Sequence, residues 1–287
     1  MSTTTVLVLG AAGMLGHAVL RAFSADRNFI TVGTVRSLTS RSLLPVELQD
    51  HVRVGIDVEN ADSLTQVFSA VRPDIVINCV GVVKQLADAH DPLVVLPINA
   101  LLPHRLAKLC GQVGARLIHV STDCVFAGTT GNYRENQPSD AQDLYGRSKF
   151  LGEVDHPHAV TLRTSIIGHE LASAHGLVGW FLSQQGTTKG YTRAVFSGFP
   201  TVELARIMRE VIIPRPQLRG LYHVSSAPIN KYDLLCLIAR TYGKSIEIIP
   251  DDRLVIDRSL DSTRFQQATD YRPPSWATLV QDMHRFC

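Results

Sequence analysis

The sequence lacks a strong excess of charge of either sign. Its 287 residues include 28 Lys and Arg against 26 Asp and Glu, which gives a formal net charge of +2. No basic block and no alternation of basic with aromatic residues is present, so nucleic acid is not expected as a partner. No run reaches the ~18 consecutive apolar residues of a membrane-spanning helix, so no membrane span is expected. A composition of 45% hydrophobic and 19% charged residues is typical of a soluble globular protein.

Cysteine pairs and metal-ligand spacings are also missing. The five cysteines are scattered, odd in number and form no C-x-x-C pair, which disfavours a disulfide framework and favours a reducing cytoplasm. The N-terminus passes from Ser2 into an apolar run without a basic region, so no export signal is expected. His17 and His169 have no partner at ligand spacing, and no metal site is predicted.

Short apolar runs alternate with helical patterns over the first half of the chain. This alternation predicts an α/β fold, a Rossmann-type doubly wound parallel sheet. The predicted strands are residues 6–9, 30–35, 52–56, 74–78, 116–120 and 160–164. Residues 1–165 are predicted to form the dinucleotide-binding domain, rejoined by about residues 200–225, and residues 166–287 a smaller, discontinuous substrate-binding lobe.

The remaining predictions of secondary structure are less regular. Residues 40–48 are predicted to be irregular, and residues 186–190 to form a polar turn. Helices are predicted at residues 61–71, 99–111, 145–153, 177–182, 202–213 and 231–242, and further strands at 221–224 and 246–249.

A glycine motif follows the first predicted strand and precedes a helical pattern. The spacing Gly10-x-x-Gly13-x-x-Gly16 lets the backbone turn tightly and approach a pyrophosphate at the helix N-terminus. A strand-to-helix turn that uses glycine only for packing would look the same. The context of strand before and helix after favours the dinucleotide interpretation.

The end of the second strand indicates which dinucleotide is preferred. An NAD site usually has an acidic residue there, whereas this chain has Arg36 followed by Ser37. A guanidinium suits a 2′-phosphate, so NADP(H) is predicted, with NAD as the alternative. An exposed arginine without a ligand is the other interpretation.

Tyr145-Gly-Arg-Ser-Lys149 places a phenol and an ammonium one helical turn apart on the same face. A nearby ammonium would lower the pKa of the tyrosine and suit it for general acid–base chemistry. The alternative is a surface pair of Lys149 with Glu153. Ser121, Thr122 and Asp123 follow the fifth strand, and Ser121 and Thr122 are expected to point to opposite sides.

Taken together, these segments resemble an extended short-chain dehydrogenase/reductase, and within it the dTDP-4-dehydrorhamnose reductase branch of sugar-nucleotide enzymes. The matching segments occur in the family's order over nearly the whole chain. They are Gly10–Gly16, His119-Val-Ser-Thr-Asp-Cys-Val-Phe126, Tyr145–Lys149 with Leu151-Gly-Glu153, Leu162-Arg-Thr-Ser165, Gly198-Phe-Pro-Thr201 and Arg258-Ser-Leu-Asp261.

The resemblance implies a reductase of a 4-keto nucleotide-linked sugar in surface-polysaccharide or deoxysugar synthesis, with Tyr145 as proton donor, Lys149 as its partner and Thr122 on the carbonyl oxygen. The cofactor would lie against Gly10, Ala12, Gly13, Met14, Leu15, Gly16, Arg36, Ser37, Asp57, Val58, Cys79, Val80, Gly81, Asn99, Tyr145 and Lys149. The substrate would lie against Val83, Lys84, Asp123, Cys124, Val125, Phe126, Phe196, Thr201 and Arg258, with Arg258 on its diphosphate. A homodimer is left open.

Departures from the family pattern leave the sugar and the nucleotide open. Cys124 stands where the motif usually has tyrosine, and Ile166 where an aromatic residue is common. A nucleophilic Cys124 is the alternative to a small wall residue, although no paired base is evident. Two other functions share this fold: a sugar-nucleotide epimerase or dehydratase, and a non-catalytic NADP-binding subunit such as the relative that partners methionine adenosyltransferase.

Overall fold

A computed structural model of the chain describes residues 3–84 and 87–287. Its centre is a sheet of seven strands, all paired in parallel, in the order β11-β6-β5-β4-β1-β2-β3. The strand order reverses between β1 and β4, and a ligand crevice is expected there, outside the carboxyl ends. The predicted doubly wound fold is therefore confirmed. The strands are Thr4–Leu9 (β1), Phe29–Val35 (β2), Val52–Val54 (β3), Ile75–Asn78 (β4), Arg116–Thr122 (β5), Ala159–Thr164 (β6), Ile166–Ile167 (β7), Thr187–Tyr191 (β8), Ala194–Phe196 (β9), Phe199–Pro200 (β10), Gly220–His223 (β11), Ile229–Asn230 (β12), Glu247–Asp251 (β13) and Ile256–Asp257 (β14).

Helices cover both faces of the sheet. Val6, Val8 and Ile77 contribute to one apolar core, and Leu7, Leu9 and Val76 to the other. Successive strand residues are thus buried on opposite faces, as expected for a sheet that has helices packed on both faces. The helices are Gly16–Ser24 (α1), Leu38–Ser42 (α2), Val46–Gln49 (α3), Ala61–Val71 (α4), Pro92–Val95 (α5), Leu102–Val113 (α6), Leu144–Leu151 (α7), Leu177–Ser183 (α8), Thr201–Arg206 (α9), Lys231–Thr241 (α10), Thr263–Thr269 (α11) and Trp276–Arg285 (α12).

The helix predicted at residues 99–111 begins earlier than the sequence indicated. Asp91 accepts a hydrogen bond from the Leu93 amide at 2.8 Å, and α5 continues through a π-helical segment, Leu96–Leu101, into α6. The whole helix, Pro92–Val113, is long and apolar enough to cross a membrane by length and composition. Half of its apolar window is buried inside the fold, which is typical of a core helix.

Two predictions of irregular structure are wrong. Residues 40–48 contain the end of α2 and most of α3, because Ser37 caps α2 by accepting from the Ser40 amide at 3.1 Å and Leu44 and Leu48 bury against the sheet. Residues 186–190 were predicted as a turn, but β8 begins at Thr187 and pairs in parallel with β13 over five residues. Both segments depend on distant partners that local sequence does not reveal.

A three-stranded sheet in the order β12-β9-β14 lies outside the main sheet. β12 runs antiparallel to β9, with Asn230 opposite Val195, and β14 runs parallel, with Asp257 opposite the same Val195. This small sheet brings together three segments that are distant in sequence, and the residue after each outer strand is charged.

Candidate active site

The glycine motif forms a tight turn between β1 and α1. Gly10 has φ +79°, a conformation that favours glycine, and its carbonyl oxygen accepts from the Gly13 amide at 3.0 Å. A Cβ on Gly16 would overlap that same carbonyl oxygen, so α1 can begin this close to the turn only with glycine. Gly13 is exposed, and the first turn of α1 has no acidic residue. The exposed turn and helix N-terminus fit a pyrophosphate.

The neighbouring residues of the motif differ in what they can offer a cofactor. Ala12 and Met14 are partly exposed beside the turn, whereas the Leu15 side chain is buried in the core. With its side chain buried, Leu15 would have to contact the cofactor through its backbone, and this contact stays a prediction. Leu171, from the segment after β7, packs against the same apolar cluster as Ala12 does.

Arg36 and Ser37 lie directly after β2 and are exposed. Within the described residues, Arg36 enters no ion pair and no side-chain hydrogen bond. The Ser37 hydroxyl accepts from the Ser40 amide, so its first role is to cap α2. A guanidinium without a protein partner at this position remains compatible with the predicted 2′-phosphate contact.

Of the two residues predicted beside the adenine, Asp57 and Val58, one is exposed and the other is buried. Asp57 is exposed, and its carboxylate accepts from the Glu59 amide at 3.0 Å. Val58 is buried with Leu64 and Val67, so its side chain belongs to the core. A contact of Val58 with the adenine would therefore use its backbone, and it stays a prediction.

Two buried asparagine side chains, Asn78 and Asn99, form hydrogen bonds with the backbone of the segment that follows β4. Asn78 accepts from the Val80 amide at 3.1 Å, and Asn99 forms paired hydrogen bonds of 2.9 Å with the backbone of Val82. The Asn99 side chain also donates to Ser148 at 3.2 Å. Asn99 therefore fastens this segment to α7, and its predicted cofactor contact remains a prediction.

Between those anchors, Cys79 and Val80 are partly exposed and Gly81 is exposed. Burial raises the pKa of the Cys79 thiol to about 12, so the thiol is neutral at physiological pH. A neutral small side chain next to Val80 and Gly81 fits the predicted cofactor wall.

The predicted catalytic residues meet where β5 ends. Thr122 is its last residue, and the Thr122 hydroxyl accepts from the Cys124 amide at 3.1 Å and donates to Asp123 at 3.2 Å. Asp143 caps α7 through the Gly146 amide at 2.6 Å. A Cβ on Gly146 would overlap the Cys124 carbonyl oxygen, so glycine there lets α7 lie against the end of β5. This packing brings Tyr145 beside Thr122.

The electrostatics of Tyr145 differ from the sequence prediction. Burial, with Cys124 next in effect, raises the pKa of Tyr145, while hydrogen bonding with the Thr122 side chain acts in the opposite direction. The expected lowering by Lys149 is not found. Lys149 is 6% exposed and donates to the Val120 carbonyl at 2.7 Å, and burial lowers its own pKa to about 8. Tyr145 therefore keeps its proton at neutral pH.

The proposed surface pair of Lys149 with Glu153 is also not found. Glu153 instead holds the buried Arg163 through two hydrogen bonds of 2.6 Å and accepts from Ser121 at 2.7 Å. Ser121 thus points to Glu153 while Thr122 points to the crevice, which agrees with the expected alternation along the strand. The carboxylate of Glu153 partly offsets the effect of burial on Lys149.

On the substrate side, Val83 and Lys84 are exposed, and Lys84 Nζ lies 3.8 Å from Cys124 Sγ. Burial raises the pKa of Cys124 to about 11, and Asp123 adds to that rise. A thiol that stays protonated is a poor nucleophile, which favours the small-wall interpretation of Cys124. Asp123 is itself buried, and burial raises its pKa.

Four residues predicted to contact the substrate have side chains that are buried in the protein, and their substrate contacts stay predictions. Val125 and Phe126 have no exposed surface and pack with Tyr133. Phe196 and Thr201 are also buried. The Phe126 carbonyl oxygen accepts a hydrogen bond from Arg258 Nε at 2.8 Å. Arg258 itself is partly exposed, as a phosphate ligand would need to be.

The structure adds Lys231, which sequence reasoning treated only as the start of a helix. Its ammonium lies 3.8 Å from the centre of the Phe196 ring and influences Asp123 and Cys124. A cation at a helix N-terminus opposes the helix dipole, and this unfavourable placement was the available signal. Within the described residues, no group of three or more His, Cys, Asp or Glu is placed to hold a metal ion.

Comparison with known proteins finds one matching family model and several related sequences. The family model described as "RmlD substrate binding domain" matches residues 4–285. The chain is 28% identical over 259 residues to methionine adenosyltransferase 2 subunit beta of Danio rerio, covering 85% of this chain and 76% of that protein. It is 29% identical over 179 residues to the "Probable low-salt glycan biosynthesis reductase Agl14" of Haloferax volcanii, covering 60% and 57%.

Two solved structures are similar over almost the full length. One is dTDP-4-dehydrorhamnose reductase from Bacillus anthracis in complex with NADP, with a TM-score of 0.78, 20% identity and 100% coverage of both chains. The other is ADP-L-glycero-D-manno-heptose-6-epimerase from Helicobacter pylori, with a TM-score of 0.81, 14% identity and coverage of 99% and 96%. At these identities, the similarity establishes the fold.

Proposed function

The chain belongs to the RmlD substrate binding domain family, and from that premise we propose that it is an NADP(H)-preferring reductase of the 4-keto group of a nucleotide-linked sugar. One observation carries the proposal. Thr122, Tyr145 and Lys149 converge at the carboxyl end of β5, in the crevice that the glycine turn also borders. The Bacillus anthracis reductase of the same fold contains NADP, which supports the choice of cofactor.

The glycine turn, Arg36 and the segment after β4 would hold the cofactor, which supplies hydride when bound. Support comes from the exposed Gly13 at the start of α1 and from Arg36, which has no ion pair among the described residues. Cys79 is neutral and does not add a charge beside the ring. No residue of this set would repel the cofactor's phosphates.

Reduction of a ketone requires a proton at the carbonyl oxygen, and Tyr145 is suited to donate it. Because burial raises the pKa of Tyr145, its hydroxyl is protonated at neutral pH. Thr122 would hydrogen-bond the same oxygen as negative charge develops there. Lys149, with a pKa of about 8, would remain largely cationic at neutral pH and would stabilise the phenolate left after proton transfer.

The test is to mix the purified protein with NADPH and a panel of 4-keto nucleotide sugars and to follow the absorbance of the reduced nicotinamide. Oxidation of NADPH with one member, absent in Tyr145→Phe, is the expected result. Tight NADPH binding without turnover on any member would contradict the proposal.

A second candidate is a regulatory subunit of a methionine adenosyltransferase. It is favoured by the similarity to the beta subunits of that enzyme, which extends over 83% to 85% of this chain. Adding the protein to a catalytic methionine adenosyltransferase subunit would then change its rate of S-adenosylmethionine synthesis. No change in rate and no co-elution would exclude this candidate. An epimerase or dehydratase would share the fold, and product analysis of the same panel separates it from a reductase.

A further inference from the structure

Three cations from separate parts of the chain surround the segment that follows Thr122. Lys84 comes from the loop after β4, Lys231 is the first residue of α10, and Arg258 follows β14. Lys231 and Arg258 both act electrostatically on the Asp123 carboxylate, and Lys84 lies 3.8 Å from Cys124. The cations therefore lie at the crevice, next to the residue predicted to bind the reacting carbonyl.

The small three-stranded sheet explains how two of these cations come together. Asn230 and Asp257 lie opposite the same residue, Val195, on the two sides of β9. Lys231 directly follows Asn230, and Arg258 directly follows Asp257. The two cations therefore lie on opposite sides of β9. The Arg258 amide donates to the Val195 carbonyl at 3.0 Å, which fixes that backbone.

Lys231 is held without a protein counter-ion. Its ammonium lies over the Phe196 ring at 3.8 Å, and within the described residues it makes no ion pair and no side-chain hydrogen bond. Burial lowers the pKa of Lys231 to about 8, whereas Asp123 acts in the opposite direction. Keeping an ammonium partly buried and unpaired is unfavourable unless a ligand supplies the missing negative charge.

Asp123 does not neutralise the cluster by contact. In the described part of the chain, no cation lies within 4.0 Å of its carboxylate, which instead accepts hydrogen bonds from the side chains of Thr122 and Cys124. Three cations facing one carboxylate leave an excess of two positive charges. Among the residues that the structure describes, Arg258 hydrogen-bonds the protein through its Nε alone, at the Phe126 carbonyl, which leaves its two terminal nitrogens for a ligand. The charge excess matches a group with two negative charges.

We propose that Lys231, together with Lys84 and Arg258, binds the diphosphate bridge of the nucleotide-linked substrate beside Cys124, an assignment that rests on the proposed function. Lys231 and Lys84 act as point charges, and Arg258 offers a planar pair of donors to the phosphate oxygens. Lys231 is the new member of the site. It makes the affinity for the diphosphate depend on the small lobe, and it selects nucleotide-linked over free sugars.

The experiment measures binding of uridine diphosphate and thymidine diphosphate to the NADPH-loaded protein by calorimetry. Lys231→Met retains the aliphatic packing on Phe196 and removes the charge, and we expect the Kd for both probes to rise about tenfold or more. Lys231→Arg should restore most of the affinity. Lys108→Met, at an exposed position on α6, is the matched control and should bind as the wild type does. NADPH affinity should be the same in all four proteins.

The outcomes separate this inference from the proposed function. Equal diphosphate affinity in wild type and Lys231→Met overturns the inference even if the protein reduces a keto sugar. Wild-type protein that binds NADPH but neither diphosphate also overturns it. Loss of binding in Lys231→Met, with no sugar reduced by the wild type, supports the diphosphate site and rejects the reductase. Competition by inorganic pyrophosphate, but not by a free uronic acid, distinguishes a diphosphate site from one for a carboxylate on the sugar.

Discussion

At the scale of single residues, Tyr145 combines burial with a position beside Thr122. Burial keeps its proton in place at neutral pH, which is the state that a proton donor needs before reduction. The role of Lys149 is then different from lowering the pKa in advance. Its ammonium is anchored on the Val120 carbonyl and can stabilise the phenolate once the proton has left.

Replacing Tyr145 with Phe removes only the hydroxyl. We expect kcat for the sugar ketone to fall about 10²- to 10⁴-fold, because that is the usual contribution of a positioned acid. The Kd for NADPH should stay within a factor of about two. Steady-state kinetics and fluorescence titration measure the two quantities. Tyr191→Phe, at an exposed position on β8, is the control, and near-normal turnover in Tyr145→Phe would reject the acid role.

We expect Arg36 to determine the preference between the two nicotinamide cofactors. Arg36→Ala removes a charged hydrogen-bond donor worth about 1.5–3 kcal/mol, so the Kd for NADPH should rise about tenfold or more. The Kd for NADH should change little, because NADH has no 2′-phosphate. Arg27→Ala, exposed at the turn before β2, is the matched control. Equal losses for both cofactors would remove the argument for NADP(H).

At the scale of elements, the site depends on how closely α7 approaches β5. Gly146→Ala places a Cβ against the Cys124 carbonyl oxygen, which belongs to the backbone and cannot rotate away. We expect a loss of about 1–3 kcal/mol in the free energy of unfolding, the usual cost of overpacking. Turnover should fall as well, because Tyr145 moves with the helix. Denaturant unfolding and kinetics measure the two effects.

The control for this prediction is another helical glycine. A Cβ on Gly111 in α6 would meet only the ring of His158, at 3.1 Å, which is a side chain that can adjust. Gly111→Ala should be neutral or slightly stabilising, since alanine favours helix by roughly 1 kcal/mol over glycine. If Gly146→Ala were as stable and active as Gly111→Ala, close packing of α7 would not position Tyr145.

The elements that the sequence predicted well are those with local signals. The turn at Gly10–Gly16 and the strand before it follow from glycine spacing and apolar runs, and α4 coincides with the helix predicted at residues 61–71 from its apolar periodicity. β8 was missed because its pairing with β13 is distant in sequence and its residues are polar. Lys231 was missed for the same reason, since its neighbours Phe196 and Asp123 are far away along the chain.

At the scale of the whole molecule, buried histidines tie stability to pH. His223 lies in the core, where its ring contacts the Tyr133 carbonyl at 3.0 Å and Arg163 at 3.2 Å. Arginine can only donate, so the ring nitrogen facing it must accept and must be unprotonated. Burial first, and Arg163 second, lower the pKa of His223 to about 3. Burial also lowers the pKa of His17, His119 and His169.

A histidine whose pKa is lower in the folded state binds fewer protons there than in the unfolded chain. The stability it contributes is fully present above the unfolded pKa of about 6.5 and is lost as the pH falls from about 6.5 toward 3. For His223 alone, we expect the free energy of unfolding to fall by about 2 kcal/mol between about pH 7.5 and about pH 5. The other three histidines, of which His169 is only partly buried, add to this fall, so acid should destabilise the whole protein.

Urea unfolding of the wild type and of His223→Gln at those two pH values tests this dependence. Glutamine can accept from Arg163 and donate to Tyr133 without titrating, so the variant should lose less stability on acidification than the wild type. His175→Gln, at an exposed position, should retain the wild-type dependence. An identical loss in wild type and His223→Gln would mean that the acid sensitivity arises elsewhere.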